Sequence, residues 1–496
     1  MLLTTILNDI RPLKIQGAAE VEISSLGLNS QIVERGQLFF ALHGEKTDGH
    51  RFIGAAAANG AAAIVCEQWP DDRALDANVC YILVENSHVA MGLIASAFYG
   101  YPSQRLKLVG ITGTNGKTTT ATLLYRLFRA LGYKVGLLST VANYVDTREI
   151  PATHTTPDAI TLNRLLADMV RDGCSYCFME VSSHAIVQER IAGLDFAGAL
   201  FSNITHDHLD YHKTFSDYIR AKKTFFDRLS DKAFALLNID DSHGRLMGQN
   251  TKALVKTSAL HTWADFKARI VESTFDGMQL NIDGMDVWTP LIGGFNAYNI
   301  LAAYAAARLL GAEKNETLRL LSAIPPVAGR FEAFRMAGIT VIVDYAHTPD
   351  ALQNVLHTIR DVRRDEPLIT VVGCGGNRDT AKRPVMARIA ADNSDKVIFT
   401  SDNPRFEDPE TILNDMRAGL DAVQDAQSLV IADRREAIRT ALMLAPSDAI
   451  VLIVGKGHEK FQDIKGVKTP FDDREVAAEM LRNRQRHDTI AFDIHE

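Results

Sequence analysis

The chain of 496 residues exceeds what one hydrophobic core ordinarily organises, and its length corresponds to about three domains. Lysine and arginine number 53 against 61 acidic residues, a net charge of −8, with 46% hydrophobic and 23% charged residues. That balance excludes a disordered chain and a nucleic-acid binder relying on overall positive charge, and it leaves room for local basic pockets.

Met1–Leu13 lacks a basic start, and Asp9 interrupts it before a signal-length apolar stretch forms. No uninterrupted apolar run approaches the roughly 18 residues of a membrane span, so no membrane insertion and a cytoplasmic location are expected. Between Val21 and Tyr101, short apolar runs (Gln37–Ala41, Ala61–Val65, Tyr81–Val84) alternate with glycine- and alanine-rich segments, predicting a small α/β domain over 1–102. Pro102–Arg105 is a polar hinge, and Leu106–Thr112 a new strand.

After Lys117, the residues Leu123, Leu124, Leu127, Phe128 and Leu131 share one helical face, and Gly132 supplies the stop. Val135–Ser139 is the next strand. The five cysteines (Cys66, Cys80, Cys174, Cys177, Cys374) are few and scattered, as in a reducing compartment. Only Cys174 and Cys177 have a metal-like spacing; with no second pair and with Phe178-Met179 following, they read as part of a buried strand. The α/β alternation continues to Gly329-Arg330-Phe331-Glu332, after Pro325-Pro326, which bounds a central domain of 103–331.

From 332 to 496, strands are expected near Thr340–Asp344, Leu368–Gly373, Lys396–Thr400, Leu429–Ala432 and Ala449–Val454, each followed by a helical stretch. Asp408 and Pro409 mark one helix start as N-cap and first helical residue. This regular alternation predicts a Rossmann-like, doubly wound parallel sheet whose ligands sit beyond the carboxyl ends of its strands.

The sharpest chemical feature is Gly110-Ile-Thr-Gly113-Thr114-Asn115-Gly116-Lys117-Thr118-Thr119, between a strand and a helix. Glycines let backbone N–H groups approach a polyphosphate, the helix start adds positive potential, Lys117 reaches the terminal phosphates and Thr118 suits Mg²⁺. The general P-loop pattern fails at Ile111, which leaves the shorter G-T-N-G-K-T. A kinase, a GTPase or a ligase would each use such a loop. A dinucleotide fold is disfavoured, because Gly373-Cys-Gly375-Gly376-Asn-Arg378 ends on Arg378 where G-x-G-x-x-G needs glycine.

G-T-N-G-K-T resembles the signature of the ATP-dependent Mur ligases and folylpolyglutamate synthases. Further landmarks follow in the same order: Glu180-Val-Ser-Ser-His184, Asn203-Ile-Thr-His-Asp-His208-Leu-Asp210, Gly294-Phe-Asn296-Ala-Tyr-Asn299, Gly329-Arg330-Phe331-Glu332, Asp344-Tyr-Ala-His347-Thr-Pro349 and Gly455-Lys-Gly-His-Glu459. The resemblance implies three α/β domains: a UDP-sugar-binding domain, an ATPase domain and an amino-acid-binding domain. It implies a monomer acting on small molecules, with no nucleic-acid partner. The implied reaction is ATP-dependent amide formation through an acyl phosphate, joining meso-diaminopimelate to UDP-MurNAc-L-Ala-D-Glu in peptidoglycan precursor synthesis.

The resemblance also distributes roles. ATP falls to Gly113 through Thr119, Asn299, Arg330 and Asp344; Mg²⁺ falls to Thr118, Glu180, His208 and a carbamylated Lys222; Lys117, Glu180, His208 and Lys222 form the catalytic set. Lys223 is the competing register for Lys222. The UDP-MurNAc dipeptide falls to Leu28, Ser30, Thr155, Thr156, Ser182, Gln188 and Arg190, with Glu45-Lys46-Thr47 as a further loop. Diaminopimelate falls to Arg378, Asp402, Asn403, Pro404, Arg405, Gly455 and Glu459. Arg405 separates diaminopimelate from lysine, because a guanidinium fork suits the distal carboxylate that lysine lacks.

Overall fold

A computed structural model describes residues 1–44, 47–71, 75–152, 154–207 and 209–493, apart from the side chains of 209, 210 and 486–493. The described residues form two compact units: 1–113 with 120–202 and 216–257, and 114–119 with 203–215 and 258–496.

In the first unit, a five-stranded sheet has the order Lys14–Gln16, Cys80–Leu83, Ala63–Cys66, Gln37–Phe40, Ser25–Gly27. It is parallel except at the Lys14–Gln16 edge. Its apolar residues divide by strict alternation. Leu38, Phe40, Ala63, Val65, Cys80 and Ile82 pack with Leu3, Ile6 and the Ser87–Phe98 helix, while Phe39, Ile64, Cys66 and Tyr81 pack with Ile53 and Ala56 of the Ile53–Ala58 helix. Period two places successive residues on opposite faces, so nearly continuous apolar runs are what a two-sided sheet requires.

The same unit holds the strands Val135–Leu138, Tyr176–Glu180, Lys107–Thr112, Gly198–Phe201 and Phe234–Asn238, side by side in that order. They pair in parallel. Cys177 lies inside this sheet, Cys174 just before it, and both are buried free thiols, as their apolar flank indicates. The Lys117–Ala130 helix follows the Lys107–Thr112 strand, and Gly132 takes φ +91 just beyond its end.

In the second unit, Phe266–Thr274, Gly277–Ile282 and Met285–Thr289 form an antiparallel meander. The last sheet has the order Glu332–Met336, Ile339–Asp344, Ile450–Val454, Leu368–Val372, Lys396–Phe399, Leu429–Val430, with only the first strand antiparallel. Ile342, Val372, Phe399, Leu452 and Val454 face the Pro349–Val362, Lys382–Asn393 and Pro409–Arg417 helices. Val341, Val343, Val371, Ile398, Val451 and Ile453 face the Arg434–Leu444 and Asp473–Asp493 helices. The sheet is doubly wound, as expected.

Two local expectations need correction. The predicted Leu429–Ala432 strand is only Leu429–Val430, because the edge position gives it a single parallel neighbour. Asp408 does occupy the N-cap with Pro409 inside the helix, but its side chain caps no backbone N–H; its carboxylate accepts from the Thr411 hydroxyl at 3.3 Å instead.

Candidate functional site

In the first unit, functional side chains gather at the carboxyl ends of parallel strands. Glu180 ends its strand opposite Ile111, two residues before Gly113. Its carboxylate is 1% exposed and accepts the Thr140 N–H at 2.7 Å. The Thr156 hydroxyl donates to the Glu180 carbonyl at 2.8 Å, and the Thr155 and Thr140 hydroxyls lie 3.1 Å apart. Ser182 caps the Ser183–Val187 helix by accepting the Ala185 N–H. Arg190 donates from Nη1 to the Thr156 carbonyl at 2.7 Å and from Nε and Nη2 to Gln188 Oε1. The structure thus brings Thr155, Thr156, Glu180, Ser182, Gln188 and Arg190 together through direct contacts.

Lys222 is 1% exposed on the Phe215–Asp227 helix. Its Nζ donates to the Gly113 carbonyl at 2.9 Å and lies 4.6 Å from the Tyr218 ring centroid. Lys223 points elsewhere and pairs with Asp227 at 2.6 Å. Of the two adjacent lysines Lys222 is the more buried.

Leu28 is 40% exposed and Ser30 buried, beside the Asn29 side chain that caps the Ser30–Ile32 turn. Glu45 and Lys46 lie outside the described residues, as does His208. Nearby, His43, Asp48 and His50 form a compact cluster with metal-like spacing. His50 Nε2, however, accepts the Glu67 N–H at 2.9 Å, so its proton sits on Nδ1, 2.7 Å from Asp48. That tautomer turns a donor toward Asp48, so the cluster ties loops together and offers no ligand lone pair from His50 Nδ1.

In the second unit, residues 114–119 form the phosphate loop. Thr114 N–H donates to the Asn203 carbonyl at 2.9 Å, Asn115 N–H to Asn203 Oδ1 at 2.9 Å, and Asn115 Nδ2 to Asp350 at 2.8 Å. Lys117 Nζ curls back to the Thr114 carbonyl at 2.8 Å. Gly116 takes φ +89, and a Cβ there would lie 2.4 Å from Asn299 Oδ1, so both conformation and space demand glycine. Asn299 in turn donates to Asn296. Arg330 Nη2 donates to the Thr118 hydroxyl at 3.1 Å, while its guanidinium lies 4.5 Å from the Tyr345 ring centroid.

Asp344 is buried, and its oxygens accept the Phe331 N–H at 2.6 Å and the Ala346 N–H at 2.7 Å. Burial raises its pKa against the opposing pull of Arg330 and those amides. Its carboxylate therefore shapes the Arg330-bearing turn. His347 and His458, in motifs noticed in the sequence but given no role there, have pKa values lowered to about 4 and about 3, foremost by burial and then by neighbouring cations.

The residues expected to receive the amino acid sit beyond the carboxyl ends of strands of the last sheet. Asn403 donates to Glu459 Oε2 at 2.6 Å and accepts from Lys456 Nζ at 3.0 Å and from the Asp463 N–H at 2.9 Å. Lys456, fully buried, also lies 3.3 Å from Glu459 and 3.7 Å from Asp402. Asp402 Oδ1 is buried without a hydrogen-bond partner, and burial raises the Asp402 pKa. Arg405 spends one N–H on the Gly376 carbonyl at 2.7 Å; a guanidinium carries five, so a fork remains for a carboxylate. Arg378 is exposed. Lys456 was missed as a site residue although its motif was in view, because a lysine in a glycine-rich turn reads as solvated until its burial is known.

Oxygen is the ligand type Mg²⁺ prefers; Glu180 offers it in the first unit and Thr118 in the second, each buried, at 1% and 5% exposure. A carboxylate has about four acceptor sites, so the Thr140 N–H bond to Glu180 leaves room for a cation.

Three family profiles match the chain: the Mur ligase family, catalytic domain over 22–99, the Mur ligase middle domain over 111–307, and the Mur ligase, glutamate ligase domain over 329–457. It is 56% identical to the UDP-N-acetylmuramoyl-L-alanyl-D-glutamate--2,6-diaminopimelate ligase of Cytophaga hutchinsonii over 470 residues, 95% of this chain and 96% of that one. The Bacteroides thetaiotaomicron protein of the same name is 55% identical, with 97% and 100% covered. A solved structure of a ligase with that name superposes with a TM-score of 0.69 at 33% identity, covering 98% and 99%. MurF from Acinetobacter baumannii, at 17% identity and a TM-score of 0.62 over 93% and 94%, shares the fold.

Proposed function

The chain belongs to the Mur ligase family, and from that premise we propose the division of labour by which it adds meso-diaminopimelate to UDP-MurNAc-L-Ala-D-Glu. It is an ATP-dependent ligase of peptidoglycan precursor synthesis. The observation that carries the amino-acid assignment is Arg405, held at the carboxyl edge of the last sheet with most of its donors uncommitted to the Gly376 carbonyl.

The order of chemistry follows from charge. A carboxylate oxygen of the dipeptide attacks the ATP γ-phosphorus, ADP leaves, and an acyl phosphate forms. The amine of diaminopimelate, as the free base, then attacks the acyl carbon; inorganic phosphate leaves, the nitrogen gives up a proton, and an amide remains. Both steps crowd anions, so cationic and N–H donors must be fixed in advance. Lys117 and the backbone of Gly113–Thr119 hold the phosphates, with Asn299 and Arg330 beside them. Asp344 serves ATP by setting the Arg330 turn through the Phe331 and Ala346 amides.

Thr118 and Glu180 would hold Mg²⁺, together with His208 and Lys222 as its carbamate; bound there, the ion neutralises phosphate charge. Residues 1–102, through Leu28 and Ser30, take the uridine end of the substrate, and 103–331 take ATP together with the dipeptide, which Thr155, Thr156, Ser182, Gln188 and Arg190 hold. Residues 332–496 take the amino acid, with Arg378, Asp402, Asn403, Pro404, Arg405, Gly455 and Glu459 as its receptors. The work is that of a cytoplasmic enzyme, since its substrates are ATP and a UDP-linked precursor; no helix among the described residues is long and apolar enough to cross a membrane.

A panel of amino acids, assayed for ATP-dependent amide formation on the dipeptide, tests the reading. A bidentate charge-assisted contact and the cost of leaving Arg405 unpaired correspond to a preference for diaminopimelate over lysine of about 10²–10⁴ in kcat/KM. Arg405→Ala should lose most of that activity through a raised KM for diaminopimelate and keep its ATP affinity. Comparable wild-type values for the two amino acids would refute the specificity, and an unaffected Arg405→Ala would refute the residue.

A further inference from the structure

Two loops carry the amino-acid receptors: residues 373–378, after the Leu368–Val372 strand, and residues 401–407, after the Lys396–Phe399 strand. They are joined along their length. Gly376 N–H donates to the Asn403 carbonyl at 2.9 Å, Arg405 Nη1 to the Gly376 carbonyl at 2.7 Å, and Phe406 N–H to Asn377 Oδ1 at 3.1 Å. The approach is close enough that a Cβ on Gly376 would lie 2.0 Å from the Pro404 carbonyl oxygen. Asn377 and Arg405 both adopt left-handed backbone, at φ +52 and +53, a conformation asparagine tolerates and arginine seldom takes.

Glu407 holds the first of these. Its Oε1 accepts the N–H of Asn377, the residue beside Arg378, and its Oε2 accepts from Arg383 Nη2 at 2.6 Å. Arg383 is 1% exposed, and its Nη1 donates to Asp415 at 2.8 Å. Its Nε is buried without a hydrogen-bond partner. A guanidinium buried with one donor unsatisfied is a costly way to stabilise a fold, since apolar residues of similar volume often serve as well. What apolar residues would not do is hold a carboxylate at a fixed place with two directed bonds.

We propose that Glu407, clamped by Arg383, is a positioning residue for amino-acid selection: it locks the 373–378 loop to the 401–407 loop and so sets Arg378 and Arg405 relative to each other. Neither Glu407 nor Arg383 touches the substrate in this account. The inference rests on Arg378 and Arg405 being the receptors of the distal part of the amino acid. Its signature is loss of discrimination with the phosphoryl chemistry intact.

The test is steady-state kinetics of Glu407→Gln, Glu407→Ala and Glu407→Asp, each with diaminopimelate and with L-lysine, alongside thermal unfolding of the full chain. Glutamine keeps an acceptor for the Asn377 N–H and loses the ion pair. Glu407→Gln should therefore raise the KM for diaminopimelate about tenfold, with the kcat and the KM values for ATP and the dipeptide held within about twofold. Glu407→Ala should go further in the same direction, Glu407→Asp should recover part of the loss, and the preference over lysine should shrink in parallel.

A fall in kcat with an unchanged KM for diaminopimelate would overturn the proposal, as would KM values for all three substrates rising together. If the alanine variant fails to fold, the glutamine variant decides. A wild type that prefers another amino acid would overturn the substrate reading alone, and the same KM comparison with that amino acid then decides the positioning role.

Discussion

Adjacent lysines on one helix have opposite surroundings: Lys222 is buried with its Nζ on the Gly113 carbonyl, while Lys223 pairs with Asp227. A carbamate formed on Lys222 would keep one N–H for the Gly113 carbonyl and would carry one negative charge shared by two oxygens, a group that a cation stabilises. Lys222→Ala should lower ligation by about 10²–10⁴-fold and regain part of it with formate or acetate. Lys223→Ala should stay within a few-fold of wild type, since a partly exposed ion pair contributes about 0–1 kcal/mol. A ¹³C-carbamate resonance in wild type that is absent from Lys222→Ala would complete the case. An active Lys222→Ala would end it. At this scale, what could be read from sequence was motif chemistry: Lys117, Glu180 and Arg405 stand where glycine-rich turns and strand ends advertise them. Arg383, Glu407 and Lys456 were not legible, because a charged side chain in a helix or turn reads as solvated, and only the tertiary fold shows Arg383 and Lys456 buried and Glu407 held between Arg383 and Asn377.

Strand ends and the turns after them carry the pH response. His347 follows the Ile339–Asp344 strand and His458 follows Ile450–Val454, with their pKa values lowered to about 4 and about 3. Burial is the first cause for both; Lys382 and Arg330 add to it at His347, opposed by Asp207 and the Tyr345 carbonyl, and Arg330, Lys456 and His347 add to it at His458. The unfolded chain binds these protons near pH 6.5 and the folded protein does not, so the stability they contribute is present above that value. It is lost as pH falls toward 4 and then 3, by on the order of 3 kcal/mol for His347 and about 5 kcal/mol for His458 if unfolding is two-state. Urea unfolding should thus show a midpoint that drops from about pH 6.5 to about pH 4.5, and less steeply in a His347→Asn, His458→Asn double variant. Equal slopes would show that carboxylates alone carry the acid sensitivity. The strands themselves were legible to within a residue or two, as Lys396–Phe399 and Ile450–Val454 show, because two-sided burial writes continuous apolar runs. The short Leu429–Val430 edge, and the Asp408 N-cap that stands in its expected place without a side-chain cap bond, are places where local pattern met no partner to complete it.

For the whole molecule, the α/β character and the doubly wound last sheet were legible from the strand–helix alternation, while the partition into compact units was not. Residues 114–119 and 203–215 group with 258–496, away from their neighbours in sequence, and a reading that cuts the chain into contiguous pieces has no way to express such interleaving. Asp350 shows the cause: its carboxylate accepts from Asn115 Nδ2 at 2.8 Å and from the Thr205 hydroxyl at 3.0 Å, tying both segments to a residue far along the chain. The functional question at this scale is whether phosphoryl transfer is tied to ligation. A regulatory NTPase with the same loop would hydrolyse ATP alone, whereas a ligase must withhold the γ-phosphate from water until a carboxylate is present to receive it. Phosphate release with ATP alone should therefore be slower by about 10²-fold or more than with dipeptide and diaminopimelate together, because the attacking carboxylate is supplied only by bound substrate. With ATP and dipeptide but no amino acid, added hydroxylamine should capture the activated carboxyl as a hydroxamate, since a small nucleophile can replace the missing amine. Hydroxamate that requires ATP and the dipeptide, and that disappears as diaminopimelate is titrated in, would place the acyl phosphate before amide formation. Rapid ATP hydrolysis without either co-substrate would mean that the phosphate loop works independently of the amino-acid receptors, and the ligase reading of this chain would fall.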